Sequence, residues 1–178
     1  MHDSVDVHTL HCGRLFSVEA MTWTDQQGRR VCRDIVRHPG AVLVVPLLDR
    51  HRLVMIRNYR VAVDQQLWEL PADTLEPDEE PRQAAFRELA EETGYRPERL
   101  RKLGEFYTSP GFCDELMHVF VAEDLQFMGQ RLDPGEQIEV ETVARHDALT
   151  MIDDGRIRDG KTIAGLMMWD RDSRGFSA

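Results

Sequence analysis

From Phe16 to Thr24 apolar and polar positions alternate loosely among strand-forming residues, and Asp25-Gln26-Gln27-Gly28 supplies a turn. Val31, Ile35 and Val36 then resume the pattern between Arg30 and Arg37, so this stretch predicts a β-hairpin. After Pro39-Gly40 the alternation gives way to the continuous apolar run Ala41 to Leu48, which predicts a central strand buried on both faces. Asp49-Arg50-His51 turns the chain into a second strand, Arg52 to Arg57. Pro81 suits the first position of a helix that stops at Gly94, and the acids Asp78 to Glu80 just ahead of it suit its positive end. Strands are predicted at Glu105 to Thr108 and Met117 to Ala122, on either side of the loop Ser109-Pro110-Gly111-Phe112, and again at Ile138 to Val143. Asp147 to Asp153 and Lys161 to Trp169 read as helices. There is no repeat, low-complexity tract or long linker. The order predicts an α/β fold, a mixed sheet sandwiched by helices over residues 40–178, with residues 1–39 as a small separate β element.

Composition narrows the function. A chain of 178 residues with 42% hydrophobic content can enclose one core and a ligand cleft. The net charge of −10 disfavours nucleic acid as a partner, because binding a polyphosphate requires a basic stripe. Three scattered cysteines, Cys12, Cys32 and Cys113, do not form a disulfide framework and fit a reducing cytoplasm. Met1 to Leu10 has neither a basic nor an apolar leader pattern, and no window is long and apolar enough to span a bilayer, so a soluble, unanchored chain is expected. Twenty of the 22 basic residues are arginines, a bias that a GC-rich genome would also produce, so individual arginines have to be argued from position.

The acidity is concentrated. Residues 69–98 hold ten acids against three arginines and so carry seven of the ten net negative charges. Within the helix Pro81 to Thr93, Glu88, Glu91 and Glu92 stand at i, i+3 and i+4 on one face, with Phe86, Leu89, Ala90 and Thr93 on the opposite side. Like charges at this spacing repel mildly, by a few tenths of a kcal/mol (~0.3) per pair. A divalent cation would compensate, and hard oxygen donors without a Cys/His cluster point to Mg²⁺ or Mn²⁺ rather than zinc. Taken alone, the same helix also reads as an ordinary solvated acidic face.

Its surroundings favour the first reading. Arg87-Glu88-Leu89-Ala90-Glu91-Glu92-Thr93-Gly94-Tyr95, with Glu79 upstream, resembles the Nudix box, G-x5-E-x7-R-E-U-x-E-E-x-G-U, where U is a bulky apolar residue. Every fixed position matches except the opening glycine, which is Asp73 here. The resemblance implies a Nudix hydrolase: an α/β/α sandwich that uses Mg²⁺ to cleave a nucleoside diphosphate linked to another moiety. Carried over by position, it implies that Glu88, Glu91, Glu92 and the Ala72 carbonyl hold metal, with Arg87 and Glu79 as a supporting ion pair and Arg87 and Glu91 within the catalytic set. Asp73 leaves three consequences open. It could adopt the glycine's conformation, since Asp tolerates the left-handed region; it could add a carboxylate beside the metals; or it could weaken the site.

Further motifs indicate the group. Trp68-Glu69-Leu70-Pro71-Ala72 resembles the ELPAG segment of ADP-ribose pyrophosphatases, and Arg57-Asn58-Tyr59-Arg60 resembles their QYR segment. Pro110 stands fifteen residues after Tyr95, as in that group. Ser109-Pro110-Gly111-Phe112 with Asp114-Glu115 is similar to its SPGFSDE loop, and Asp159-Gly160-Lys161-Thr162 to a common start of its last helix. The resemblance covers roughly residues 30–168 and implies hydrolysis of ADP-ribose to AMP and ribose 5-phosphate. GDP-mannose or another nucleotide sugar is the alternative, as is a weakened nucleotide-binding or sensing domain suggested by Asp73. It further implies Arg37 and Arg60 on the substrate phosphates, Trp23 stacking the adenine, and Pro110 and Glu115 at the substrate. The base would come from the stretch Asp133 to Glu139, with Glu136 first and Glu139 second. The N-terminal β element is expected on the substrate side of a two-fold homodimer. His38, His51, His118 and His146 show no metal-like spacing and receive no role.

Overall fold

The computed structural model describes residues 5–132 and 137–175. β1 (Val5–Cys12), β2 (Ser17–Thr24) and β3 (Arg30–Arg37) form an antiparallel three-stranded sheet in chain order. The expected hairpin is β2–β3, closed by the turn in which the Gly28 amide donates to the Asp25 carbonyl at 3.0 Å. β1 was not expected. Its alternation is broken by a bulge between Thr9 and His11, and every one of its residues is exposed, so it carries little of the buried pattern that marks a strand.

The expected mixed sheet is built from β4 (Ala41–Pro46), β7 (Ala72–Thr74), β8 (Tyr95–Tyr107) and β9 (Leu116–Phe127), in the order β7-β4-β9-β8. β4 runs parallel to β9, and the other pairs are antiparallel. A second core sheet, β10-β5-β6, joins β10 (Ile138–Ala144), β5 (Arg52–Arg60) and β6 (Gln65–Glu69). β8 begins ten residues earlier than the pattern suggested. It tolerates Pro97 because it is an edge strand, and it bulges between Lys102 and Gly104. β6 and β7 are too short to leave a periodic signature.

β4 explains the layered architecture. All six of its residues are buried, and its side chains alternate between two cores. Val42 and Val44, with Phe120 and Ala122 of β9, pack on Ala84, Ala85 and Leu89 of α1 (Pro81–Thr93). Leu43 and Val45, with Val119 and Val121, pack on Ala148 and Met151 of α2 (Arg145–Asp153) and on Leu166 and Trp169 of α3 (Gly160–Ser173). The result is an α/β/α sandwich. α3 approaches closely because Gly165 has no side chain: a methyl group there would come within 2.6 Å of Leu43 Cδ2. α1 ends at Gly94, whose φ of 75° requires glycine and whose Cα faces the backbone of Gly129 and Gln130.

The N-terminal sheet meets this body at the loop after β8. Val36 bridges Cys113, the Val36 amide donates to the Phe112 carbonyl at 2.8 Å, and the Asp114 amide donates to the Val36 carbonyl at 3.2 Å. Among the described residues no helix is long and apolar enough to cross a membrane.

Candidate functional site

The acidic face of α1 is not solvated. Glu88 and Glu92 are each only 3% exposed, while Glu91 is half open to solvent. Leu89 and Thr93 on the other side are buried as well, so the helix is covered on both sides at this end. Burial, reinforced by the charges of Glu92 and Asp73, holds the Glu88 carboxyl well above the ordinary range, and this is a state that a cation would relieve. The Ala72 amide donates to Glu92 Oε2 at 3.1 Å, which brings β7 against the helix at the acids.

Arg87 organises the cluster. It grips Glu79 through Nε and Nη2, both at 3.0 Å, and its Nη1 donates to Glu88 Oε2 at 3.0 Å and Glu91 Oε2 at 3.1 Å. The Arg87 pKa is raised, chiefly by Glu79. Among the described residues no three carboxylates are already gathered around a common metal position, and Arg87 Nη1 lies between Glu88 and Glu91. Asp73 Oδ2 stands 3.8 Å from the same nitrogen. Of the three possibilities left open for Asp73, the left-handed conformation is not the one adopted. Asp73 is paired with Val42 inside β7 and is not among the residues with positive φ, so this backbone does not demand glycine.

A second cluster adjoins the first. Glu69, fully buried, accepts from Arg60 Nε at 2.8 Å, from Arg60 Nη2 at 2.6 Å and from Lys161 Nζ at 2.6 Å. Arg60 is near enough to feel the charge of Glu92, and its pKa is raised, first by Glu69. Arg37 lies at the junction with the N-terminal sheet. Its Nε donates to Glu19 at 2.7 Å and its Nη1 to Asp114 at 3.0 Å, while Asp114 Oδ1 also accepts from the His38 amide at 2.8 Å. Glu115 accepts from Thr108 Oγ1 at 2.6 Å and faces His38 Nδ1 at 3.8 Å. It lines a cavity of about 520 Å³ together with Thr108, Ser109, Met117, Asp159 and Lys161. Pro110 sits exposed on the neighbouring loop.

Two expected residues are not brought to these clusters. Glu139 pairs in register with Arg57, which pairs with Trp68, so the three side chains share one face of the β10-β5-β6 sheet. Glu69 pairs with Ile56, which puts Glu69 and Arg60 on the opposite face. Glu139 accordingly stands 3.7 Å from Arg57 and away from the acids of α1. Trp23 pairs with Val31 at one end of the hairpin while Arg37 pairs with Ser17 at the other, six residues or about 20 Å apart. Glu136 lies outside the described residues.

Sequence reasoning passed over Glu69, Asp114 and Lys161 as functional groups, although each stood inside a quoted motif. Glu69 alone carried a signal, an acid between Trp68 and Leu70 in an otherwise apolar context.

Comparison with known proteins agrees with this geometry. A sequence model of the NUDIX domain matches residues 37–166. The chain is 43% identical over 137 residues to an ADP-ribose pyrophosphatase of Bacillus subtilis (strain 168), covering 76% of this chain and 74% of that protein. It is 38% identical over 149 residues to a GDP-mannose pyrophosphatase of Citrobacter koseri, covering 73% and 76%. A crystal structure of an ADP compounds hydrolase superposes with a TM-score of 0.86 at 23% identity, over 99% of this chain and 97% of that one, a likeness of fold.

Proposed function

The chain belongs to the Nudix family of hydrolases, and from that premise we propose that it is a metal-dependent pyrophosphatase that cuts ADP-ribose into AMP and ribose 5-phosphate. The observation that carries this reading is the pair of buried carboxylates on the helix that bears the box, Glu92 accepting from the Ala72 amide and Glu88 from Arg87. Nudix hydrolases generally use divalent ions, and the donors here suit Mg²⁺ or Mn²⁺: carboxylates of Glu88, Glu91 and Glu92 with the Ala72 carbonyl, all hard oxygens. When bound, the metal neutralises charge on the diphosphate and activates water.

The chain's own groups do the remaining work. Arg87 keeps the acids oriented through Glu79, Glu88 and Glu91. Arg60 and Arg37 engage the substrate phosphates, each aligned beforehand by carboxylates. Glu115 and the Pro110 loop border the cavity that takes the sugar half. Glu136 withdraws the proton from the attacking water. Two contacts support it over Glu139. The Arg131 amide donates to the Glu91 carbonyl, and Gln130 Nε2 bridges the carbonyls of Glu92 and Ile138, so both ends of this segment are pinned beside the acids. Glu139 faces Arg57, which favours Glu136.

Residues 1–39 form the dimerisation and substrate-side element, residues 40–178 the hydrolase domain, and the enzyme works as a cytoplasmic homodimer. Exposed Val5, Val7, Leu10, Leu15 and Phe16 on or beside the N-terminal sheet support this, as does Trp23, whose distance from Arg37 suits a residue that serves the partner subunit's site. GDP-mannose is the second reading, favoured by the 38% identity to its pyrophosphatase.

The test is incubation with Mg²⁺ and ADP-ribose, GDP-mannose, NADH and diadenosine polyphosphates, with products resolved by chromatography. We expect AMP and ribose 5-phosphate from ADP-ribose as the fastest reaction. Faster GMP release would move the assignment to GDP-mannose. Binding of ADP-ribose without turnover of any compound would make this a nucleotide-sensing domain.

A further inference from the structure

We propose that Lys161 is a positioning residue for substrate binding, which acts by sharing the buried Glu69 carboxylate with Arg60. The inference rests on the nucleotide-sugar reading above and names a part of that site which the box does not supply. Glu69 is 0% exposed, and a carboxylate so far from water requires several donors. Arg60 provides two of them and Lys161 the third, with both cations meeting at Oε2. Glu69 engages Nε and Nη2, so it fixes the guanidinium through one edge and turns the Nη1 edge away from itself, toward a phosphate oxygen.

Lys161 is itself held by a stiff support. Its Nζ lies 3.0 Å from Asp159 Oδ1, and Asp159 caps α3 by accepting from the Thr162 amide at 3.0 Å. Thr162 Oγ1 accepts from the Leu70 amide at 2.9 Å. The first turn of α3 thus grips residues 69 and 70, two positions ahead of Ala72 at the metal donors.

The energetic role follows from charge. A substrate phosphate that draws on Arg60 competes with Glu69 for one guanidinium. With Lys161 present, Glu69 keeps a cation throughout and the competition is mild. Without it, binding would draw away Arg60, the one cation left among the described residues to a carboxylate shut off from water. Lys161 therefore acts on affinity, through Arg60, and leaves the chemical step largely alone.

A double-mutant cycle on the full chain tests this, with kcat and KM for ADP-ribose under Mg²⁺ and calorimetric Kd for ADP-ribose. We expect Lys161→Met to raise KM and Kd about tenfold with kcat within about threefold, and to change either by less than about twofold in a Glu69→Gln background, where no buried charge is left to share. Independent penalties that multiply in the double variant would overturn the proposal. So would a fall in kcat at unchanged KM. Lys161→Gln replaces Lys161→Met if the latter does not fold, and failure of both to fold would reduce Lys161 to a structural role and overturn it. If the wild type binds ADP-ribose but cleaves nothing, the hydrolase reading fails while the cycle still reports through Kd. A wild type that neither binds nor cleaves ADP-ribose overturns both.

Discussion

β4 and β1 are equally regular strands with opposite surroundings. β4 has six buried residues between two helical layers, whereas β1 has eight exposed ones, Val5, Val7 and Leu10 included. The body around β4 closes its own core. The N-terminal sheet does not: it is fastened to that body through Arg37, Asp114 and a few backbone bonds, and it turns apolar side chains to solvent. The difference indicates a division of labour. In the proposed homodimer, hydrolytic groups sit where the chain is self-sufficient, while Trp23 and the exposed apolar residues of the N-terminal sheet sit where a second copy would cover them.

Three substitutions would break or sharpen that contrast. The largest effect belongs to the body. Glu92→Gln keeps an acceptor for the Ala72 amide and removes a charge beside Glu88, so we expect Mg²⁺-dependent turnover to fall about a thousandfold or more while the melting temperature holds or rises. Steady-state rates and a thermal melt decide it, and retained activity would remove α1 from the mechanism.

At the junction the effect is smaller. Asp114→Ala frees one edge of Arg37 and leaves the His38 amide without its acceptor, at about 1 kcal/mol for half-exposed charged bonds. We expect roughly fivefold faster amide exchange in the N-terminal sheet with little change in β4, together with a higher KM. Uniform loss of protection across both regions would show that they unfold as one.

Smallest for the isolated chain is Val7→Glu, on the exposed strand. It should shift the fold stability by less than about 0.5 kcal/mol, yet convert the proposed dimer to monomer in sedimentation and weaken ADP-ribose binding. A wild-type mass equal to one chain at micromolar concentration would break the comparison, since the apolar face would then be open by design.

Much of the body was legible in the sequence because its signals are local. The run Ala41 to Leu48 could only be a strand buried on both faces, and Pro81 and Gly94 bracket α1 by backbone chemistry alone. Asp73 was left open between three consequences because a replaced glycine does not reveal its backbone, and the position proves extended in β7. β1 escaped notice because an exposed strand has no buried side to reveal its period. The acids of α1 were found by spacing, but their burial was not, because it depends on β7 and on the segment around Gln130 folding over them. Glu139 ranked second to Glu136 on sequence alone, and its place on the face of Arg57 needed the register. The Glu69 cluster joins residues 92 positions apart, so its pairing leaves no local signature even though Glu69 stands out between apolar neighbours.

That separation also orders events in time. The bond from Ala72 to Glu92 spans 20 residues, and the bonds from Arg87 to Glu79 span eight, so the acid cluster can gather soon after α1 leaves the ribosome. The β4–β9 pairing must close over some seventy residues, and Glu69 waits longer still, for Lys161 in the last helix. A chain interrupted before α3 would hold a charged carboxylate in its interior with one cation in place of two. The half of the site that carries the box can gather early, and the half that grips the substrate waits for α3.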